Sequence, residues 1–104
     1  MVRVIILYPN TPGGRFDHDY YAQKHIRLVE ERLRPMGLLG IEAGRVVSTF
    51  DDKETPSYVA IAHLVFETEA GFRKAFATHL DEMAADVPNY TDIRPEIIVT
   101  EVAE

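Results

Sequence analysis

The sequence predicts an α+β protein of the ferredoxin-like class, with the element order βαββαβ. Residues 2–8 and 57–67 are runs of β-branched and apolar residues, which are typical of strands. A segment with apolar residues at helical spacing follows each run, and a further strand follows each helix. The order strand, helix, strand therefore occurs twice. This repetition indicates one four-stranded antiparallel sheet with both helices packed on the same face.

The first helix is predicted over residues 18–34. Asp17 is a good N-cap, because its carboxylate can accept the free amide hydrogens of the first turn. The residues that share the apolar face of this helix are Ala22, Ile26, Val29 and Leu33. His25 falls inside that apolar arc, and Tyr21 lies one turn before it, so the two side chains are expected to be neighbours.

The second half of the chain repeats this pattern. Residues 40–50 are rich in valine and small residues and predict an edge strand, which a polar loop connects to the strand at 57–67. Thr68 is a plausible cap for a second helix. One face of that helix is expected to carry Phe72, Ala75, Phe76, His79, Leu80 and Met83. Residues 96–102 close the chain as the fourth strand.

The strands predict that the sheet is apolar on both sides. Val2, Val4, Ile6 and Tyr8 point one way, and Ile5 and Leu7 point the other. Such a strand is expected to be buried on both faces. Because both helices occupy one face, a second copy of the chain is the simplest cover for the other. We therefore expect a homodimer that forms a closed or nearly closed α+β barrel from two sheets.

Composition narrows the function. The 104 residues suit a single domain spanning residues 1–104, with 46% hydrophobic residues. The net charge of −6 without a basic run argues against a nucleic-acid partner or an anionic membrane surface. Cysteine is absent, and no apolar run is long enough to span a bilayer. A cytoplasmic location is the default expectation.

Several motifs resemble those of the EthD family, named for ethyl tert-butyl ether degradation. They are Phe16-Asp17-x-x-Tyr20-Tyr21-x-x-x-His25 followed by Leu28-Val29, the opening Leu7-Tyr8-Pro9-Asn10, the strand Tyr58-Val59-Ala60 with His63-Leu64 and Phe66, and the late Pro88-Asn89-Tyr90-Thr91-Asp92-Ile93. The resemblance covers nearly the whole chain and implies the dimeric α+β barrel superfamily. That superfamily includes lactone isomerases, small cofactor-free monooxygenases, dehydratases, cyclases and haem-binding members.

The candidate site centres on the first helix. Histidine suits proton transfer because its ordinary pKa is near neutrality, and a tyrosine hydroxyl can stabilise an enolate. The resemblance places catalytic weight on His25 and Tyr21. We expect substrate-binding side chains at His18, His79, Asn89 and Tyr90. The alternative for His25 is a core histidine satisfied by a hydrogen bond.

The four histidines are scattered and show no paired ligand motif, so no metal and no cofactor are expected. The expected partner is a small hydrophobic molecule. Two functions stay open. One is a cofactor-independent isomerase, cyclase or dehydratase acting on a carbonyl, lactone or phenolic compound. The other is a non-catalytic binding protein of an ether or aromatic degradation pathway.

Overall fold

A computed structural model describes residues 1–103 and confirms the predicted fold class. Four strands, β1 (Val2–Pro9), β2 (Leu38–Arg45), β3 (Tyr58–Phe66) and β4 (Glu96–Glu101), form one sheet. The strand order is β2-β3-β1-β4, and all neighbours are antiparallel. The edge strand predicted at residues 40–50 begins earlier and ends at Arg45. It ends there because Arg45 already pairs with Ala60, close to the start of β3.

The first helix has three consecutive parts. These are α-helical His18–Tyr20, π-helical Tyr21–His25 and α-helical Ile26–Leu33. Asp17 caps it as predicted, with Oδ1 accepting from the Tyr20 backbone N–H at 3.0 Å. A 3-10 turn (Arg34–Met36) ends it, followed by Gly37 at φ 104°, a left-handed conformation that glycine adopts readily.

The π-helical part changes which side chains face inward. A π turn holds one residue more than an α turn and so rotates the helix that follows it. The buried positions are Tyr21, His25, Val29 and Leu33. Ala22, expected on the apolar face, is exposed. Tyr21 and His25 lie on the inner side together, as their spacing of four residues predicts.

The second helix (Glu69–Asp86) packs on the same face of the sheet and leads into a 3-10 turn at Val87–Asn89. Its cap is Thr68, as predicted, with Oγ1 accepting from the Gly71 N–H at 3.0 Å. The core between the sheet and the helices includes Val4, Leu33, Leu64, Phe66, Phe72 and Ala75. Within residues 1–103, no helix is both long enough and apolar enough to span a membrane.

The opposite face of the sheet carries no helix among the described residues. Its apolar side chains are Ile5, Leu7, Ile61, Val65 and Ile98. The first four are half-buried by their neighbours in the sheet, and Ile98 is 50% exposed. We refer to these five residues as the helix-free face. His63 lies among these side chains, opposite Ile5, and a largely apolar surface of this kind commonly marks an interface.

Candidate functional site

A cavity of about 560 Å³ lies between the sheet, the second helix and residues 87–95. Its volume is typical of small-molecule sites. Most of its wall is apolar, with Ile6, Phe76, Leu80, Met83, Ile93 and Ile97 among the lining residues. Leu80 and Ile97 are about half exposed, and both line this cavity. The cavity therefore suits a hydrophobic ligand.

His25 is the titratable base in this wall. Its side chain is buried, 6% exposed as a residue, and lines the cavity. Its Nδ1 lies 3.0 Å from Oδ2 of Asp86, the last residue of the second helix. A carboxylate can only accept a hydrogen bond, so the Nδ1–H donates to Asp86. The neutral ring then keeps its lone pair on Nε2.

The Nε2 atom is free for a ligand. No other described residue hydrogen-bonds the His25 ring. Among the described residues, no side-chain nitrogen or oxygen is both fully buried and without a partner. Nε2 is therefore accessible, and the cavity is the space that His25 lines. This arrangement presents a base to the cavity, with a carboxylate behind it to fix the tautomer.

Asp86 is held by three side chains. The Tyr20 hydroxyl donates to its Oδ1 at 2.6 Å, and Asn89 Nδ2 donates to the same oxygen at 3.0 Å. Burial raises the pKa of Asp86, but the hydrogen bonds from Tyr20, Asn89 and His25 outweigh this effect. The pKa of this carboxyl is therefore lower than usual. Asp86 stays ionised wherever the protein is near neutral pH.

The electrostatics of His25 favour the neutral ring. Burial lowers its pKa, and this effect exceeds the opposing hydrogen bond and charge of Asp86, so the pKa of His25 lies below the ordinary value. A neutral imidazole is the form that can accept a proton. His25 can therefore act as a base, and the ionised Asp86 fixes the orientation of its ring.

Buried aromatic rings pack against the imidazole of His25. The Tyr21 ring stacks on the imidazole at 5.9 Å between centroids, and the Tyr90 ring lies 4.6 Å from it. The Tyr90 hydroxyl shares a 2.6 Å hydrogen bond with the Tyr8 hydroxyl. Burial raises the pKa of Tyr8, Tyr21 and Tyr90, so all three stay protonated. Tyr8 itself lines the cavity.

The residues just before the first helix are hydrogen-bonded to residues 91–92, at the edge of the cavity. Phe16 forms a β-bridge with Thr91, and the Thr91 hydroxyl donates to the Arg15 carbonyl at 2.6 Å. The Arg15 N–H donates to Asp92 Oδ1 at 2.8 Å. These bonds explain how a loop rich in proline and glycine becomes ordered beside the site.

The six predicted site residues do not all lie in the wall of the cavity. Among the described residues, only His25 of this set lines the cavity. Tyr21 and Tyr90 are buried behind the wall, and Asn89 is exposed and bonded to Asp86. His18 is half-buried against Phe16, 4.6 Å between ring centroids, and His79 is half-buried away from the lining. The structure therefore brings Tyr21, His25, Asn89 and Tyr90 together.

Three site residues were missed by the sequence argument: Asp86, Tyr8 and Tyr20. Asp86 is separated from His25 by 61 positions, and Tyr8 from Tyr90 by 82, so no local spacing links them. One signal was available. Asp86 ends the helix next to the Pro88-Asn89-Tyr90 motif, which the resemblance had already marked.

The fold and this cavity define a small protein of the dimeric α+β barrel superfamily. An EthD-like protein from Ralstonia eutropha JMP134 has a solved structure that is 30% identical to this chain, with a TM-score of 0.91, covering 99% of this chain and 92% of that one. The chain belongs to the EthD-like family. No family model matches the sequence, and no curated protein matches it.

More distant structures share the fold. An EthD family protein from Bacillus halodurans C-125 is 14% identical over 99% of both chains, with a TM-score of 0.68. The hydroxynitrile lyase from Passiflora edulis is 15% identical, with a TM-score of 0.64, covering 99% of this chain and 94% of that one. At these identities the likeness extends to the fold alone.

Proposed function

We propose that this protein is a cofactor-independent enzyme that transfers protons on a hydrophobic carbonyl, lactone or phenolic compound. The observation that carries the proposal is the 3.0 Å His25–Asp86 pair in the wall of an apolar cavity. A base with a free nitrogen, an ionised partner and an apolar surrounding is sufficient for isomerisation, cyclisation or dehydration.

Each residue has a separate role in this proposal. His25 Nε2 removes the proton from a carbon next to a carbonyl, or from a phenol, and later returns it. Asp86 is a positioning residue that holds the imidazole in the Nδ1–H tautomer and stabilises the imidazolium. When Tyr90 donates to Tyr8, the Tyr8 hydroxyl can donate in turn to the substrate oxygen on which negative charge develops.

The fold neighbours support catalysis in general terms. One of them is a hydroxynitrile lyase, so this fold carries an enzyme in at least one protein. The family's name points to ethyl tert-butyl ether degradation, and we place the proposed reaction in the breakdown of such ethers or of aromatic compounds. A cytoplasmic location is part of the same proposal.

Deuterium exchange tests the proposal without knowledge of the natural substrate. A panel of hydrophobic ketones and lactones is incubated with the protein in D2O, and NMR follows deuterium uptake at the carbon next to the carbonyl. The wild type is expected to accelerate exchange for at least one compound. His25→Gln is expected to lose this acceleration by about 100-fold or more, because general bases contribute about that factor.

His79→Gln is the matched control, since His79 is half-buried on the second helix and does not line the cavity. Equal exchange by the wild type and His25→Gln would contradict the proposed role of His25. Saturable binding of the same compounds with no exchange and no product would instead identify a non-catalytic binding protein, the second function that the sequence left open.

We also propose that a second copy of the chain covers the helix-free face. Arg3 and Glu42 lie at its margin, and His63 lies within it opposite Ile5, so the surface is mostly apolar with a few polar groups, as interfaces are. A two-fold dimer that buries more than about 1,000 Å² would satisfy it. Light scattering is expected to give twice the chain mass, and Ile61→Asp is expected to give monomers. A wild-type monomer at micromolar concentration would contradict the dimer.

A further inference from the structure

The wall of the cavity carries more positive than negative charge. Its charged residues are Arg15, Arg94 and Asp92, and His25 is neutral in the state described above. Two arginines and one aspartate thus line the cavity, while the ionised Asp86 lies behind His25 and outside the lining. This local excess is unexpected in a chain whose 17 acidic residues outnumber its 11 basic ones. A cavity whose lining carries a net positive charge attracts anions, even in an otherwise acidic protein.

Neither arginine is neutralised by an ion pair among the described residues. The arginines that form ion pairs are Arg32, Arg34 and Arg73, which reach glutamates on the helices. Arg94 has no hydrogen-bonded side-chain partner in residues 1–103. Asp92 does not neutralise Arg15 directly, because its Oδ1 accepts from the Arg15 backbone N–H rather than from the guanidinium.

Arg15 is held in position although its side chain is exposed. Its Nη2 donates to the Pro88 carbonyl at 2.8 Å, and its backbone is fixed by Asp92 and Thr91. The Nε and Nη1 donors have no partner among the described residues. A guanidinium whose orientation is set in advance loses less entropy when it binds, and its planar fork matches the two oxygens of a carboxylate.

We infer that the cavity binds compounds with an apolar body and a carboxylate, which Arg15 and Arg94 recognise. The apolar body lies against Leu80, Met83 and Ile93, and the carboxylate lies towards the two arginines. This inference deepens the proposed function, because it names a substrate class for the same cavity. It rests on that function only in requiring the cavity to be the ligand site.

The test compares two probes of nearly equal shape, 3-phenylpropionate and 3-phenylpropionamide. Their dissociation constants are measured by NMR titration with the wild type, Arg94→Gln, Arg15→Gln and the control Arg27→Gln, which removes the same charge from the exposed side of the first helix. We expect the carboxylate to bind about fivefold more tightly than the amide, which is the upper end of what one exposed ion pair contributes. Higher salt should reduce this difference.

Arg94→Gln is expected to remove most of the preference and to leave amide binding unchanged, while Arg27→Gln keeps the wild-type ratio. Arg15→Gln is expected to have the same effect as Arg94→Gln. Equal affinity of the wild type for the two probes, binding of neither, or the same loss in Arg27→Gln would overturn the inference. Carboxylate preference without any deuterium exchange would remove the proposed function and leave this inference intact. Exchange on neutral ketones without a carboxylate preference would do the reverse.

Discussion

Replacing Asp86 by asparagine tests the most connected polar group of the site. The side chain keeps its shape but loses its charge and one acceptor. Its remaining oxygen can still accept from Tyr20 and Asn89, as Oδ1 does now at 2.6 and 3.0 Å. The new amide group then faces Nδ1 of His25, where two donors would meet. The imidazole can avoid this clash only by moving its proton to Nε2.

The cost in stability follows from the three hydrogen bonds. Charge-assisted bonds are about twice as strong as neutral ones, whose net value is about 1 kcal/mol. Removing the charge weakens each of the three hydrogen bonds by about 1 kcal/mol at most. The Asp86 side chain is 16% exposed and partly solvated, so we expect less than the sum of the three losses. We predict a loss of about 2 kcal/mol in the free energy of unfolding. For a domain of this size this is a melting temperature lower by about 10 °C.

Two measurements check this prediction. Thermal unfolding gives the stability, and ¹⁵N NMR of the imidazole gives the tautomer. The control Asp81→Asn removes the same charge from the exposed side of the same helix and should change stability by less than about 0.5 kcal/mol. An Asp86→Asn protein as stable as Asp81→Asn, with the proton still on Nδ1 of His25, would refute the role given to Asp86.

Three further outcomes follow from other parts of the structure. Tyr8→Phe leaves the buried Tyr90 hydroxyl without its 2.6 Å partner, so calorimetry should show a loss of about 1–3 kcal/mol. Gly14→Ala puts a Cβ within 2.9 Å of Ile93 Cγ1 and should cost about 1–3 kcal/mol by urea unfolding, whereas Gly44→Ala meets nothing within 4 Å and should change little. Stability should fall as the pH drops below about 6.5, because the pKa of His25 is lower in the folded protein than in the unfolded chain, which therefore binds the proton first. A His25→Gln protein whose stability falls equally over this range would contradict this prediction.

The strands were predictable because their signal is local. The runs at residues 2–8 and 57–67 combine β-branched residues with apolar residues on both faces, and the structure has strands at Val2–Pro9 and Tyr58–Phe66. The caps were predictable for the same reason, since an N-cap acts within three residues. The weak alternation at residues 40–50 did not show where pairing stops, which depends on the length of β3.

The helical geometry at the site was predictable only in part from a regular period. Spacing at 100° per residue made Tyr21 and His25 inward-facing neighbours, as observed, but it also put Ala22 on the apolar face, and Ala22 is exposed in the π-helical part. The partners of His25 and Tyr8 come from the other end of the chain. Only tertiary packing brings Asp86 and Tyr90 to them, so the sequence indicated a reactive histidine without showing what orients it.

The pKa and tautomer of His25 in the wild-type protein decide whether this residue is an oriented base that faces the cavity. The four histidines are followed by ¹⁵N NMR from pH 4 to 9, and His25→Gln assigns the relevant signals. We predict a neutral ring with its proton on Nδ1, a pKa below the ordinary value of about 6.5, and a shift of the Nε2 signal when a cavity ligand binds. A proton on Nε2, or an unperturbed pKa with no response to any ligand, would contradict the proposed role of His25.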